Sequence, residues 1–233
     1  MKTGREIIIG DIHGCSGALQ ALLEKLEPDP DSDTLIFLGD LFDRGPDSWG
    51  VLQEIKRLEE EFGERFVLLR GNHEDYLLQP KLSFSQKLTW DRVGRRTTEQ
   101  SFRKHGEKMT DCIPWVQEHV VLWHKGKGFS CVHAGLLIDP PELNDMWTMV
   151  HDHTVVLQNR YAGPLIITGH IALDEVCWFA GDGDTTAVCP EKMWQPLPAR
   201  GTICIDTGCG KGGRLTGMII RDEAFTLTSV PEA

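Results

Sequence analysis

Short apolar runs rich in β-branched residues recur along the chain, at Glu6–Ile9, Thr34–Leu38, Arg65–Leu69, Gly128–Val132, Leu165–Thr168, Thr202–Ile205, Leu215–Ile220 and Phe225–Thr228. Each is bounded by Gly, Asp, Asn or His, the pattern of buried strands that end in loops. Between the early runs the period changes. Ser16–Leu26 places Leu19, Leu22, Leu23 and Leu26 on one helical face, and Asp47–Phe62 does the same with Val51, Leu52, Ile55 and Leu58. Strand–helix–strand–helix–strand at the front predicts a parallel sheet with right-handed crossovers. The runs from Gly201 to Thr228 have short connections and read as antiparallel strands. The segment from Glu74 to His119 is rich in Lys, Arg, Gln and Thr with helical periodicity. It is expected to be a mostly helical, cap-like insertion at about 74–119 within a single domain spanning 1–233.

Composition adds exclusions. A 233-residue chain with 40% hydrophobic and 25% charged residues is ordinary globular protein, neither fibrous nor disordered. The net charge is −11, from 24 Lys+Arg against 35 Asp+Glu, which disfavours a phosphate backbone as partner, so no nucleic-acid binding is expected. Seven cysteines without C-x-x-C spacing suggest reduced thiols. The apolar run before Asp11 is too short for a signal peptide, and no stretch of 18 apolar residues exists. A cytoplasmic protein without membrane contact is the expectation; oligomeric state is not legible.

The chemistry lies where strands end. The first three runs end in Gly10-Asp11-Ile12-His13-Gly14, Gly39-Asp40-Leu41-Phe42-Asp43-Arg44-Gly45 and Arg70-Gly71-Asn72-His73-Glu74. In parallel α/β sheets the carboxyl ends of neighbouring strands line up and form ligand sites. Two later strands end in His133-Ala134-Gly135 and Gly169-His170. Asp11, His13, Asp40, Asn72, His133 and His170 are therefore six candidate ligands, about enough for two divalent metals, with Asp40 as the candidate bridge. Oxygen and imidazole donors without thiolates suit Mn²⁺ first, with Fe and Zn²⁺ as alternatives. Two metals about 3.5–4 Å apart suit in-line displacement at phosphorus by a bridging hydroxide. His73 is a candidate general acid with Asp43 as its orienting partner. Arg44 and Arg70, along with Asn72, are candidates for binding substrate phosphate.

The motifs GDIHG, GDLFDRG, RGNHE, VHAG and TGH, in this order, resemble those of the PPP family of phosphoprotein phosphatases, and more narrowly the short bacterial and phage serine/threonine protein phosphatases. Ile205-Asp206-Thr207-Gly208-Cys209 and Gly212-Gly213-Arg214-Leu215-Thr216 also resemble those enzymes and the symmetrical diadenosine tetraphosphatases. The resemblance implies a calcineurin-like metallophosphoesterase fold, an α/β (α+β) sandwich of mixed sheets flanked by helices. It implies one metal on Asp11, His13 and Asp40, a second on Asp40, Asn72, His133 and His170, and His73, Asp43 and Arg44 in the roles above. The implied activity is removal of phosphate from phosphoserine and phosphothreonine in proteins, with phosphotyrosine a further candidate. Alternatives are symmetrical hydrolysis of diadenosine tetraphosphate and an inactive module that binds phosphosites.

One departure stands out. The short bacterial members usually carry Trp-x-Arg, whose arginine grips phosphate; here the stretch is Trp147-Thr148-Met149, and Arg160 is the candidate substitute. Three other motifs read as structural. Gly208-Cys209-Gly210-Lys211-Gly212-Gly213 fits a dinucleotide fingerprint, but a strand follows it where a helix is required. Asp182-Gly183-Asp184 reads as a turn, and His151-Asp152-His153 as a solvated loop near the site.

Overall fold

The computed structural model describes residues 4–232. In chain order it contains β1 (Glu6–Ile9), α1 (Ser16–Leu26), β2 (Thr34–Phe37), α2 (Ser48–Phe62) and β3 (Phe66–Leu69). Four helices follow: α3 (Asn72–Leu78), α4 (Phe84–Arg92), α5 (Arg95–Lys104) and α6 (Ile113–His119). Then come β4 (Val120–Val121), β5 (Trp123–Lys125), β6 (Ser130–Val132), α7 (Met146–His151), α8 (Thr154–Leu157) and β7 (Ile166–Thr168). The chain closes with β8 (Cys177–Phe179), β9 (Thr186–Val188), β10 (Gln195–Pro196), β11 (Thr202–Cys204), β12 (Arg214–Arg221) and β13 (Ala224–Pro231).

The strands form two sheets. One runs β10-β13-β12-β1-β2-β3-β4 and the other β5-β6-β7-β11-β8-β9. The alternation of side chains along a strand divides the apolar runs between two cores. Ile7, Ile9, Leu35 and Phe37 face α1 and α2, where they meet Leu19, Leu22, Val51 and Ile55. Ile8, Ile36, Leu38 and Leu69 face the second sheet, where they meet Cys131, Ile167 and Ile203. The outer face of that sheet, Val132 and Ile166, is covered by Met149, Val150 and Val155 from α7 and α8. The layers are therefore helix, sheet, sheet, helix, and the continuous apolar runs are required because both strand faces are buried.

β1, β2 and β3 are parallel neighbours, as the crossover helices predict. The expectation for the end of the chain needs correction. β12 and β13 form an antiparallel hairpin in the first sheet, but Thr202–Cys204 lies in the second, parallel to β7 and antiparallel to β8. The short Gly-rich connection after it crosses between sheets, which a strand's local pattern does not reveal. β6, β7 and β11 are parallel. Three carboxyl ends from each sheet thus open onto one edge of the sandwich.

Candidate functional site

Six strand ends supply the buried polar residues. Asp11 and His13 follow β1, Asp40 and Asp43 follow β2, and Asn72 and His73 begin α3 directly after β3. His133 follows β6, His170 follows β7, and Asp206 follows β11. Asp11, His13, Asp40, Asp43, His73, His133 and Asp206 are all buried, while Arg44, Asn72 and His170 are half-buried. Sharp turns bring them together: His13, Asp40, Asp43, Arg44 and His170 all have φ between +49° and +71°.

Asp40 is the hub. Its Oδ2 lies 3.6 Å from His13 Nε2 and 3.9 Å from His73 Nε2, and its Oδ1 lies 3.5 Å from His133 Nε2. The His73 amide, open at the start of α3, donates to Asp40 Oδ1 (3.0 Å). Asp11 Oδ2 accepts from the His170 amide (2.9 Å) and lies 4.0 Å from His13 Nε2. Asn72 Oδ1 lies 3.2 Å from His133 Nε2 and 2.9 Å from His170 Nδ1. Among the described residues, two groups of side chains converge closely enough to hold a metal ion: His13, Asp40 and His73, and Asp40, His133 and His170.

The partners of each ring set its chemistry. His13 Nδ1–H donates to the Phe42 carbonyl (2.9 Å), and His133 Nδ1–H donates to the Leu38 carbonyl (2.7 Å). Each neutral ring then turns an Nε2 lone pair toward Asp40. His170 Nε2–H donates to the His151 carbonyl (3.2 Å), so its Nδ1 lone pair faces Asn72. Burial holds all three imidazoles below their ordinary pKa, His170 at about 3. Lone pairs, carboxylates and the Asn72 oxygen thus point at one another. Asp11 Oδ1 is buried with no hydrogen-bond partner. Burial, followed by the charges of Asp206 and Asp40, pushes the Asp11 carboxyl well above its ordinary range. Asp40 goes the other way: burial would raise it, but the imidazoles of His133, His73, His13 and His170 hold it far below. Facing acceptors and crowded carboxylates are a donor set that fits divalent cations. The Arg44 guanidinium, hydrogen-bonded to His13 Nε2, brings positive charge into the same space.

His73 differs from the other histidines. Its Nδ1 pairs with a carboxylate, Asp43 Oδ2, at 2.6 Å. Burial would lower its pKa, but Asp40 and Asp43 together raise it. Its Nε2 faces the cluster, 3.4 Å from the Arg44 guanidinium. An imidazole held by an anion is a stronger base, able to carry a proton on the nitrogen that faces the cluster.

Several residues that frame the site lie outside the sequence-derived set. Glu74 accepts from the amides of Asp40 (2.7 Å), Leu41 (2.8 Å) and Gly71 (3.0 Å). Burial and the Asp40 charge push its carboxyl up to about 7 against the pull of those amides. At Gly71 a Cβ would run into Asp40 and Glu74, so the close approach requires glycine. Asp206 Oδ2 is buried without a partner, and burial raises its carboxyl. The aspartate after an apolar run in Cys204-Ile205-Asp206 is the same sequence signal as at Asp11 and Asp40. Trp90 and Thr98 both reach Asp43.

The arginines divide. Arg44 faces the cluster. Arg70 is ion-paired with Asp75, which also accepts from His151 Nε2 (2.8 Å). Arg160 is exposed, and among the described residues its guanidinium makes no hydrogen bond or ion pair with the cluster. Met149 is buried against Val132, Leu136 and Tyr161, not in the site. His151 is the last residue of α7 rather than part of a solvated loop.

The calcineurin-like phosphoesterase family model matches residues 5–192. The chain belongs to this family. Metallophosphoesterase chemistry is therefore the frame for the site, and the layered fold agrees with solved structures. A protein serine/threonine phosphatase from Saccharomyces cerevisiae superposes with a TM-score of 0.64 at 15% identity, covering 99% of this chain and 80% of that one. A cold-active protein-tyrosine phosphatase from a Shewanella species gives 0.62 at 15% identity, covering 100% and 81%. In sequence, serine/threonine-protein phosphatase 1 of Salmonella typhimurium is 34% identical over 218 residues, 90% of this chain and 88% of that protein. The symmetrical bis(5'-nucleosyl)-tetraphosphatase of Erwinia tasmaniensis is 32% identical over 130 residues, 55% of this chain and 43% of its own length. That of Photorhabdus laumondii is 43% identical over 86 residues, 37% and 30% of the two chains. The chain thus spans less than half the length of these tetraphosphatases.

Proposed function

We propose that this phosphoesterase is a dinuclear-metal phosphomonoesterase acting on phosphoserine and phosphothreonine in proteins. The observation that carries the reaction class is Asp40, placed between the imidazoles of His13 and His133, with the His73–Asp43 pair alongside. Asp11, His13 and Asp40 would hold one cation, and Asp40, Asn72, His133 and His170 the other. Manganese suits the oxygen and nitrogen donors. The chemistry such a pair supplies when bound is activation of water and neutralisation of phosphate oxygens during in-line displacement. Arg44 orients the phosphate from beside His13 and His73. Asp43 accepts from His73 Nδ1–H, which leaves Nε2 to deliver a proton to the leaving alkoxide. Arg70, tied to Asp75, is a secondary phosphate contact. The preference for phosphoprotein over nucleotide rests on the near full-length match to the Salmonella phosphatase.

The test is His73→Asn in the Mn²⁺-supplied protein. Loss of kcat should be on the order of 10²–10⁴ toward a phosphoserine peptide and much smaller toward p-nitrophenyl phosphate, whose leaving group needs little protonation. Equal loss on both would remove His73 from the acid role. The tetraphosphatase relatives support a second reading, symmetrical cleavage of diadenosine tetraphosphate. ADP release from that dinucleotide outpacing phosphopeptide turnover would favour it.

A further inference from the structure

The Asp43–His73 pair is held from the helical excursion rather than from its own loop. Asp43 Oδ2 accepts two hydrogen bonds of 2.6 Å, from His73 Nδ1 and from Trp90 Nε1. Its Oδ1 accepts from Thr98 Oγ1 (2.7 Å), and the Asp43 amide donates back to the same hydroxyl (2.8 Å). The threonine hydroxyl thereby closes a ring with backbone and side chain of Asp43, and turning the carboxylate would break its three hydrogen bonds, to His73, Trp90 and Thr98. Trp90 is fixed in turn. It stacks on Tyr76, with centroids 6.0 Å apart, and Tyr76 stands edge-on to His73 at 6.4 Å. Between Trp90 and Thr98 lies Gly94, at φ +117°, where a Cβ would strike the backbone of Arg44. Residues 90, 94 and 98 are three contact points of one α4–α5 corner on the Asp43–Arg44 turn.

We infer that Trp90 and Thr98 are positioning residues for proton delivery: they fix the Asp43 carboxylate that aims His73 at the leaving group. The inference rests on the acid role proposed for His73. The chemistry of the contacts supports it. A tryptophan present only to fill space would not need its N–H on a carboxylate that already accepts from the candidate acid. Two neutral donors stabilise the buried anion and hold both of its oxygens in place, so that His73 Nδ1 meets the carboxylate in one orientation. The helical excursion is, on this view, part of the active machinery and not merely a cover.

The test compares Trp90→Phe, Thr98→Val and Thr98→Ser with His73→Asn, each as the full chain supplied with Mn²⁺, on phenyl phosphate and p-nitrophenyl phosphate. Trp90→Phe and Thr98→Val should each lower kcat about tenfold on phenyl phosphate and less than about twofold on p-nitrophenyl phosphate, with KM unchanged. Thr98→Ser keeps the hydroxyl and should stay within about twofold of the parent on both. Equal losses on the two substrates, no loss on either, or a serine variant as impaired as the valine variant would overturn the inference. If Trp90→Phe does not fold, the two Thr98 variants decide it. If His73→Asn itself shows no dependence on the leaving group, the acid role falls first. If His73→Asn shows that dependence while Trp90→Phe and Thr98→Val do not, only the positioning role falls.

Discussion

Glu74 and Asp40 lie 34 residues apart in sequence, yet the Glu74 carboxylate receives the Asp40 backbone amide at 2.7 Å. Its other oxygen takes the Leu41 amide at 2.8 Å. One side chain at the start of α3 thus fixes the turn that carries the central carboxylate. In Glu74→Gln at least one of these amides would face an N–H₂ group. The expected result is a loss of about 1–3 kcal/mol of stability. Metal affinity should fall about 10–100-fold, the usual effect of removing an outer partner. Urea denaturation and calorimetric titration with Mn²⁺ check the two effects; parental values in both would contradict the role.

His133 and Asp11 test the proposed metal centre from opposite sheets. His133→Asn removes the lone pair facing Asp40, and Asp11→Asn removes a carboxylate with an unpartnered oxygen. Each should lower metal content after dialysis about tenfold or more, and activity should fall with it. Elemental analysis beside turnover makes the comparison. A variant that keeps its metal but loses activity would place that residue elsewhere in the reaction.

Met149 occupies the position where the short bacterial phosphatases carry arginine. Restoring the arginine is expected to fail. The side chain is 3% exposed in an apolar cluster with Val132, Leu136, Val155 and Tyr161, which contains no carboxylate. Met149→Arg should cost several kcal/mol, as for other buried unpaired charges. A melting curve shows it. An unshifted transition with tighter inhibition by inorganic phosphate would mean that the arginine reaches the site after all.

At the opposite edge of the sheet, Arg5 and Asp33 tie the entry of β1 to that of β2. The Arg5 amide donates to Asp33 Oδ1 (2.8 Å) and its Nε to Oδ2 (3.0 Å). Burial alone would raise the Asp33 carboxyl. The Arg5 side chain and the backbone amides of Asp29 and Arg5 outweigh it and hold the pKa below the ordinary 3.8. A depressed folded-state pKa stabilises the fold above the unfolded value, and this stabilisation is lost as pH falls through the folded one. Asp33→Asn should therefore lower the urea midpoint at pH 7 and lower it less at pH 3. A deficit that grows toward acid would reverse the sign of this account.

The strand ends were readable because each active loop follows an apolar run and ends in glycine-flanked Asp, His or Asn. Ser16–Leu26 and the parallel β1–β3 unit follow from spacing alone. β8, β9 and β10 were not readable: Thr186–Val188 is wholly exposed and shows no alternation. Nor does local sequence say that Thr202–Cys204 leaves the first sheet, since its partners are distant strands. In the site, Asp43 and His73 share loops with obvious motifs, whereas Trp90 and Thr98 come from a helical pair whose approach is set by tertiary packing.

Five residues of the site stand on left-handed backbone, and of these Arg44, at φ +64°, is the one whose side chain adopts it least readily. The surrounding sandwich must therefore oppose a standing local tendency to relax. On the phosphate role proposed for Arg44, thermostability and turnover are set against each other here: Arg44→Gly should melt no lower than the parent despite losing polar partners, while affinity for inorganic phosphate falls. Breeding this phosphoesterase for heat tolerance alone would select toward a sturdier, idle protein.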